Sequence, residues 1–152
     1  YDKLVQLNAF NMTIPGVPVV YYGDEFGMPG GNDPDCRRMM RFDDQLVKRE
    51  QETRDAVAKL GQLRKNQLPL IYGDFIELYL EKNVWVYARS YFGKTVIVVF
   101  NRNTEEKEIT VQLPSMFNGK QYGTTFDSAF SLEGDILKVT LKKNGVEVLV
   151  EK

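Results

Sequence analysis

The sequence has 152 residues, of which 43% are hydrophobic and 27% charged, as is usual for one or two small globular domains. The formal net charge of -1 argues against a general attraction to nucleic acid or to anionic membranes, and no apolar run reaches the roughly 18 residues of a membrane span. The absence of histidine excludes histidine-based triads and histidine metal sites within the chain, and the single cysteine, Cys36, excludes an intrachain disulfide.

The first 22 residues predict a helix followed by a buried strand. Apolar residues at helical spacing over residues 1–14 indicate a helix that ends at Pro15-Gly16. The apolar run Val17–Tyr22 is typical of a strand that is covered on both faces. Asp24 and Glu25 follow directly, and polar groups at the end of such a strand often form a site in α/β folds.

The next segments predict a loop and then a second helix. Residues 23–44 are rich in Gly, Pro and Asp, which favours a loop. Residues 45–67 predict a helix that Pro69 ends, because one face repeats at intervals of three and four through Ala56, Val57, Leu60, Leu63 and Arg64.

From Leu70 onward the hydrophobic period changes from 3.6 to 2, which indicates strands. Turn signals such as Asn118-Gly119 and Asn144-Gly145 separate the runs. Many short strands of this kind are typical of an antiparallel β-sandwich. The predicted strands are residues 75–80, 84–89, 95–100, 108–113, 136–141 and 146–150.

The segment Pro15–Arg41 carries two motifs, PGVPVVYYGDEFG and GGNDPDCRR. It resembles the α-amylase family of glycoside hydrolases, whose members share PGVPxxYYGDExG at the eighth strand of a (β/α)8 barrel, often followed by GxxDPDxRR. A match of this length is specific. The resemblance implies a retaining enzyme that cleaves α-glucan or maltodextrin.

The fold implied by the resemblance is an α+β fragment, in which the last strand and helices of a (β/α)8 barrel precede an antiparallel β-sandwich. Residues 1–68 would hold the end of the seventh helix, the eighth strand, its loop and the eighth helix, and residues 69–152 the C-terminal β-domain. The resemblance implies a longer protein of which these residues are the C-terminal end, and we expect the chain to be an excised piece because it begins with Tyr1 rather than Met. Its cellular location stays open.

We expect no catalytic residue in this chain. Retaining glycosidases use two carboxyl groups about 5–5.5 Å apart. Asp24 and Glu25 would point to opposite faces of a strand, and we expect them to pair with arginines at the barrel rim. The resemblance places the nucleophilic Asp, the acid Glu and a third Asp before Tyr1. The chain alone should therefore not hydrolyse glucan, and no cofactor is expected.

Asp33 and Arg37 are the predicted substrate-binding residues. In cyclomaltodextrinase-like and neopullulanase-like relatives, the matching Asp and Arg lie at the rim of the cleft and hydrogen-bond a glucose unit. A carboxylate and a guanidinium suit this role because each can grip two vicinal hydroxyls. The alternative is a salt bridge that fixes the loop, between Asp33 or Asp35 and Arg37 or Arg38. The acidic spacing from Asp33 does not fit an EF-hand, so no metal site is expected.

The aromatic residues of the β-domain have two interpretations, a platform for sugar rings or a core. The core is favoured, because Trp85 and Tyr87 alternate with valines in a strand that is covered on one face. The candidate residues are Tyr79, Trp85, Tyr87, Tyr91 and Phe92.

Two other functions compete with an enzyme part: a non-catalytic carbohydrate-binding β-sandwich, and a purely structural module that covers one side of the barrel. The partner expected for the parent enzyme is an α-glucan or maltodextrin. For the chain itself we expect a homodimer through residues 1–45, because Val17–Tyr22 lacks neighbouring strands here and leaves edges ready to pair. Disorder of this segment is the alternative.

Overall fold

The computed structural model describes all residues from Tyr1 to Lys152 and contains three α-helices and eight β-strands. The helices are α1 (Asp2–Thr13), α2 (Lys48–Asn66) and α3 (Leu68–Tyr72). The strands are β1 (Asp74–Glu81), β2 (Val84–Tyr91), β3 (Lys94–Asn101), β4 (Lys107–Gln112), β5 (Tyr122–Thr124), β6 (Phe130–Glu133), β7 (Ile136–Leu141) and β8 (Gly145–Glu151). No helix has the length and apolar character that crossing a membrane requires.

The strands form two antiparallel sheets that pack face to face. One sheet has the order β1-β2-β3-β8-β5 and the other β4-β7-β6. Side chains from both sheets meet in one core of 14 buried residues, which includes Val86 and Ile97 from the first sheet and Val111 and Leu137 from the second. The predicted antiparallel β-sandwich is therefore confirmed. Its alternating sequence places one side of each strand in this core.

All six predicted strands are present, but β5 and β6 were missed. These two strands have only three and four residues, which is too short for alternation to be recognised. Helix α2 begins at Lys48, where Glu50 accepts a hydrogen bond from the backbone N–H of Val47. The helix ends at Asn66, one residue before the predicted end, and Pro69 lies in the first turn of the separate short helix α3, where a backbone N–H has no helical partner.

The prediction of a strand at Val17–Tyr22 is wrong for this chain. These residues form no strand, and Val17 is 89% exposed. A strand needs a hydrogen-bonding neighbour on at least one side, and none of the eight strands pairs with this segment. Its links to the rest of the chain are local: the Asn11 amide donates to the carbonyl of Val19 over 2.8 Å.

The three helices cover the outer face of the five-stranded sheet. Ala9 and Met12 of α1, Leu60 of α2 and Leu70 of α3 share a second buried cluster with Tyr87 and other side chains of β2, β3 and β8. The Tyr87 hydroxyl lies 2.5 Å from the Thr13 hydroxyl, and burial raises the pKa of Tyr87 to about 12. The molecule thus has three layers: helices, a five-stranded sheet and a three-stranded sheet.

Two buried arginines join these layers through backbone carbonyls rather than carboxylates. Arg64 of α2 donates to the carbonyls of Met12 and Ile14 over 2.8 and 3.2 Å, and also to the carbonyl of Gly16. The first two acceptors lie at the C-terminal end of α1, where helical carbonyls lack intrahelical partners. Burial lowers the pKa of Arg64.

Arg89 of β2 binds three further carbonyls. It donates to Thr13 over 2.7 Å, to Leu70 over 3.2 Å and to Gly73 over 2.6 Å. Burial, and next the nearby charge of Arg64, lower the pKa of Arg89. Arg89 therefore connects the end of α1, helix α3 and the start of β1 to the sheet.

A buried carboxylate holds the segment after β5. Glu147 of β8 is fully buried and accepts hydrogen bonds from the backbone N–H groups of Thr125, Phe126, Ser128 and Val148, over 2.6 to 2.9 Å. A carboxylate can accept all four bonds because both of its oxygens are acceptors only.

We expect Glu147→Gln to destabilise the fold by roughly 1–3 kcal/mol, because its amide NH2 would face a buried N–H donor and leave it unsatisfied. Urea unfolding followed by circular dichroism would measure the change as a lower midpoint. The matched control is Glu108→Gln on β4, whose side chain is exposed. Equal midpoints for both variants would contradict the proposed role of Glu147.

Candidate functional site

The candidate substrate-binding pair lies on an exposed loop between α1 and α2. Arg37 Nε is 2.9 Å from Asp33 Oδ1, and the two side chains are 71% and 62% exposed. Residues Asp35–Arg37 form a single turn of 3-10 helix, which brings positions 33 and 37 to the same side. The structure therefore places the two predicted residues together and leaves both open to solvent.

A second ion pair lies beside the first. Arg38 donates to both carboxylate oxygens of Asp35 over 2.8 and 2.9 Å, and Asp35 also accepts from the backbone N–H of Gly31 over 2.7 Å. The hydrogen bond from Arg38 and next that from Gly31 lower the pKa of Asp35. The bridges expected of a loop-fixing role are thus formed by both pairs, while the exposure of Asp33 and Arg37 leaves them accessible to a ligand.

The C-terminal end of this loop is anchored by a stronger pair. Arg41 donates to both oxygens of Glu50 over 3.1 and 2.5 Å, and the Glu50 side chain is only 5% exposed. The Arg41 guanidinium also lies 5.3 Å from the ring centroid of the buried Phe26. These contacts fix the loop against the start of α2. Sequence analysis missed them, because residues nine apart in a loop and a helix share no periodic signal.

Asp24 and Glu25 do not have the predicted arginine partners. Glu25 accepts a hydrogen bond from the backbone N–H of Gly23 over 2.8 Å, and Asp24 is exposed. The expectation of ion pairs at these positions is wrong for this chain. A tight turn at residues 22–27 places the Glu25 carboxylate over its own backbone instead.

The apolar segment before this turn lies next to the loop. The Tyr21 and Tyr22 rings are 4.6 Å apart, and the Tyr22 hydroxyl donates to the carbonyl of Arg38 over 3.3 Å. The segment Val17–Tyr22 and the Asp33–Arg37 pair therefore belong to one continuous surface.

The aromatic residues divide between core and surface. Tyr87 is fully buried, which confirms the core interpretation for this residue. Trp85 packs against it with ring centroids 4.9 Å apart, but is only half-buried and keeps part of its ring at the surface. Phe92 is 91% exposed and contributes nothing to the core. Tyr91 is half-buried, and its ring lies edge-on to that of Phe92, with ring centroids 4.7 Å apart.

The Arg41–Glu50 pair predicts a specific pH dependence of stability. The hydrogen bond from Arg41 lowers the pKa of Glu50 below its ordinary value of 4.5, although burial opposes this. Such a carboxyl stabilises the fold above the unfolded value and loses that contribution as the pH falls through the folded value. Below pH 4.5, the melting temperature of the wild type should therefore fall more steeply than that of Glu50→Gln.

Circular dichroism melts across this pH range would measure the two slopes. The control is Glu106→Gln, an exposed residue in the turn between β3 and β4, which should keep the wild-type slope. Parallel curves for wild type and Glu50→Gln would contradict the assignment of the anchor.

Comparison with known proteins gives a consistent result. The Alpha-amylase C-terminal domain family matches residues 73–149. A cyclomaltodextrinase from Geobacillus thermopakistaniensis is 36% identical over 146 residues, covering 94% of this chain and 24% of that protein. A cyclomaltodextrinase from Thermoanaerobacter pseudethanolicus is 39% identical over 101 residues, covering 66% of this chain and 17% of that protein. The chain thus spans about a quarter or less of these curated relatives.

Solved structures of α-amylases superpose on nearly the whole of this chain. An α-amylase from Anoxybacillus superposes with a TM-score of 0.84 at 28% identity, covering 98% of this chain and 32% of that one. An α-amylase from Geobacillus thermoleovorans superposes with a TM-score of 0.82 at 27% identity, covering 99% of this chain and 34% of that one. Together with the two-sheet sandwich and the matched residues 73–149, these findings show that the chain belongs to the Alpha-amylase C-terminal domain family, as its motifs predicted.

Proposed function

We propose that this chain is the C-terminal part of a retaining glycosidase that cleaves α-glucan or maltodextrin. The observation that carries the proposal is the likeness to the Anoxybacillus α-amylase, which spans 98% of the chain and so includes the helices before the β-domain. In this proposal, residues 1–68 are the end of the (β/α)8 barrel. The exposed segment Val17–Tyr22 would become the eighth strand once neighbouring strands are present.

The proposed boundary between residues 1–68 and 69–152 has support from the family match, which begins at residue 73. The two parts are nevertheless joined closely. Helices α1 and α2 share a buried cluster with the five-stranded sheet, and Arg64 and Arg89 bridge the same contact. The β-domain would therefore hold the last barrel helices in a fixed position.

This close contact favours a second role for the β-domain, that of a structural cover. The outer face of its five-stranded sheet is occupied by helices, with Tyr87, Val98 and Val148 buried beneath them. A face that is already covered is not free to bind a polysaccharide. The role of a cover is compatible with the proposed enzyme and adds no activity to it.

The chain by itself should be inactive. Two acids are buried, Glu50 and Glu147, and both are engaged. Glu50 binds Arg41, and Glu147 binds four backbone N–H groups. Neither is free to act as a nucleophile or a general acid, which a retaining mechanism requires of two carboxyl groups.

Asp33 and Arg37 are the proposed substrate-binding residues. Their ion pair is exposed, so sugar hydroxyls can replace one partner of each charge at little cost. The flanking Arg38–Asp35 and Arg41–Glu50 pairs would hold the loop while this exchange takes place.

A chimera tests this function. In it, the matching C-terminal residues of the Geobacillus thermopakistaniensis cyclomaltodextrinase are replaced by this chain, to which they align over 146 residues. We expect the chimera to release reducing sugar from maltodextrins and the chain alone to release none. Asp33→Ala or Arg37→Ala should lower kcat/KM on maltoheptaose by about tenfold, the scale of a lost hydrogen bond to a charged group, and less on maltotriose.

Arg38→Ala is the matched control, because it breaks the neighbouring ion pair, whose side chains are also exposed. It should affect long and short substrates equally. A folded chimera without activity would contradict the proposed function. Long substrates should suffer more because a glucose unit bound at the cleft rim lies away from the scissile bond. An equal loss on both substrates from Asp33→Ala and Arg37→Ala would contradict only their role in binding a glucose unit at that rim.

We also propose that the isolated chain forms a homodimer through residues 1–45. The support is an exposed apolar surface on this part, where Val17 and Val19 are 89% and 76% exposed. Burying such side chains between two copies would be favourable by about 1.5–3 kcal/mol for each one fully covered.

Sedimentation equilibrium at micromolar concentration should therefore give twice the 17.5 kDa of one chain. Val19→Asp should shift the protein to monomer, because it places a charge in the proposed interface. Phe92→Asp is the control, since Phe92 is equally apolar and exposed but lies outside residues 1–45. A monomeric wild type would contradict the dimer.

A further inference from the structure

A groove of about 600 Å³ lies between helix α1 and the turns at one end of the five-stranded sheet. One side is the face of α1 that carries Lys3 and Phe10. The other sides are the β1–β2 turn with Lys82, the end of β3 with Arg102, and the turn before β8 with Asn144. The groove contains none of the residues of the Asp33–Arg37 loop, so it is a separate feature of the molecule.

The groove has an aromatic wall held in a fixed position. Trp85 lies against Phe10 and Phe100, with ring centroids 5.9 and 6.5 Å apart. Its indole N–H donates to Glu77 over 3.2 Å, which fixes the orientation of the ring. Such a wall offers a flat apolar surface to a ring-shaped ligand.

The polar part of the groove is cationic, although the whole chain has a net charge of -1. Lys3, Lys82 and Arg102 line it, and none of the three takes part in an ion pair or a side-chain hydrogen bond. The lining carboxylate, Glu81, is bound by Lys107 over 2.6 Å. Three positive charges therefore face the groove without compensation by a lining acid.

We infer that this groove binds a phosphorylated sugar. The C–H face of a pyranose ring would pack on Trp85, and the phosphate would be held by Arg102 and Lys82, with Lys3 adding positive charge from α1, since guanidinium and ammonium groups suit a phosphate. The Asn83 and Asn144 amides, which also line the groove, can bond to sugar hydroxyls.

Charge and size decide between this ligand and others. Three exposed cations around the groove favour an anionic ligand over a neutral glucan. An acidic polypeptide would need a surface larger than this groove, since stable protein interfaces bury more than about 1,000 Å². A volume of about 600 Å³ falls within the range of small-molecule sites. This inference does not depend on the proposed glycosidase function.

Trp85 is the single tryptophan of the chain, so its fluorescence reports on the groove directly. Titration of the purified chain with glucose 6-phosphate should give a saturable change at millimolar concentration. Maltose should give none, and inorganic phosphate should compete only weakly. Calorimetry would provide a second readout that does not depend on the indole.

Arg102→Gln and Lys82→Gln should each weaken the binding of glucose 6-phosphate by about tenfold, the effect of losing a charged hydrogen bond. Lys138→Gln, an exposed lysine on β7 of the other sheet, is the matched control and should bind as the wild type does. Circular dichroism would confirm that each variant is folded.

Three results would overturn the inference. The first is no signal by either method with the folded wild type. The second is binding of maltose as tight as that of glucose 6-phosphate, which would make the cations irrelevant. The third is equal binding of inorganic phosphate and glucose 6-phosphate, which would mean an adventitious ion only.

Discussion

Two buried guanidinium groups determine how the helices of this protein sit on its sheet. Arg64 and Arg89 together bind the carbonyls of Met12, Thr13 and Ile14, where α1 ends, and each binds further carbonyls beyond it. A helix C-terminus carries partial negative charge and lacks hydrogen-bond donors, so a cation is its natural partner. Burying two positive charges without a carboxylate is costly. That cost is offset here by six hydrogen bonds to carbonyls, while the buried Nε of Arg89 has no partner.

This arrangement also sets the course of the chain after α1. Arg64 binds the carbonyl of Gly16, directly before the exposed segment Val17–Tyr22. At the other end of the loop, Arg41 binds Glu50 at the start of α2. The 24 residues between Gly16 and Arg41 are thus held at both ends by arginine contacts with the helical layer. The Asp33–Arg37 pair lies within this span, close in sequence to the Arg41 anchor.

The sequence predicted the parts of the fold that depend on local periodicity. Alternation identified the long strands, and the apolar face of residues 45–67 identified α2. That face already contained Arg64, and a charged residue on an apolar stripe was a usable signal for a buried guanidinium. Arg89 at the end of a predicted strand carried no such signal, since a terminal strand residue is often exposed. Its acceptors lie 16, 19 and 76 positions away.

The prediction failed where structure depends on a partner outside the segment. The run Val17–Tyr22 has the composition of a buried strand, but composition cannot supply the neighbouring strands that would pair with it. Glu147 shows the opposite case. Nothing in the pattern of β8 marks a glutamate as buried, and only the folded segment 125–128 provides the backbone donors that make its burial acceptable.

The pairing of Asp33 with Arg37 was easier to predict than the contacts that anchor their loop, because residues 33 and 37 are close in sequence while the anchoring residues are not. Their ion pair is exposed, and exposed pairs contribute little to stability. The Arg41–Glu50 pair is largely shielded from solvent and stabilises the fold more strongly. In the proposed enzyme this contrast has a functional meaning. Asp33 and Arg37 form a weak pair at the proposed sugar site, so each can exchange the other for sugar hydroxyl groups. The shielded Arg41–Glu50 pair meanwhile keeps the loop in place.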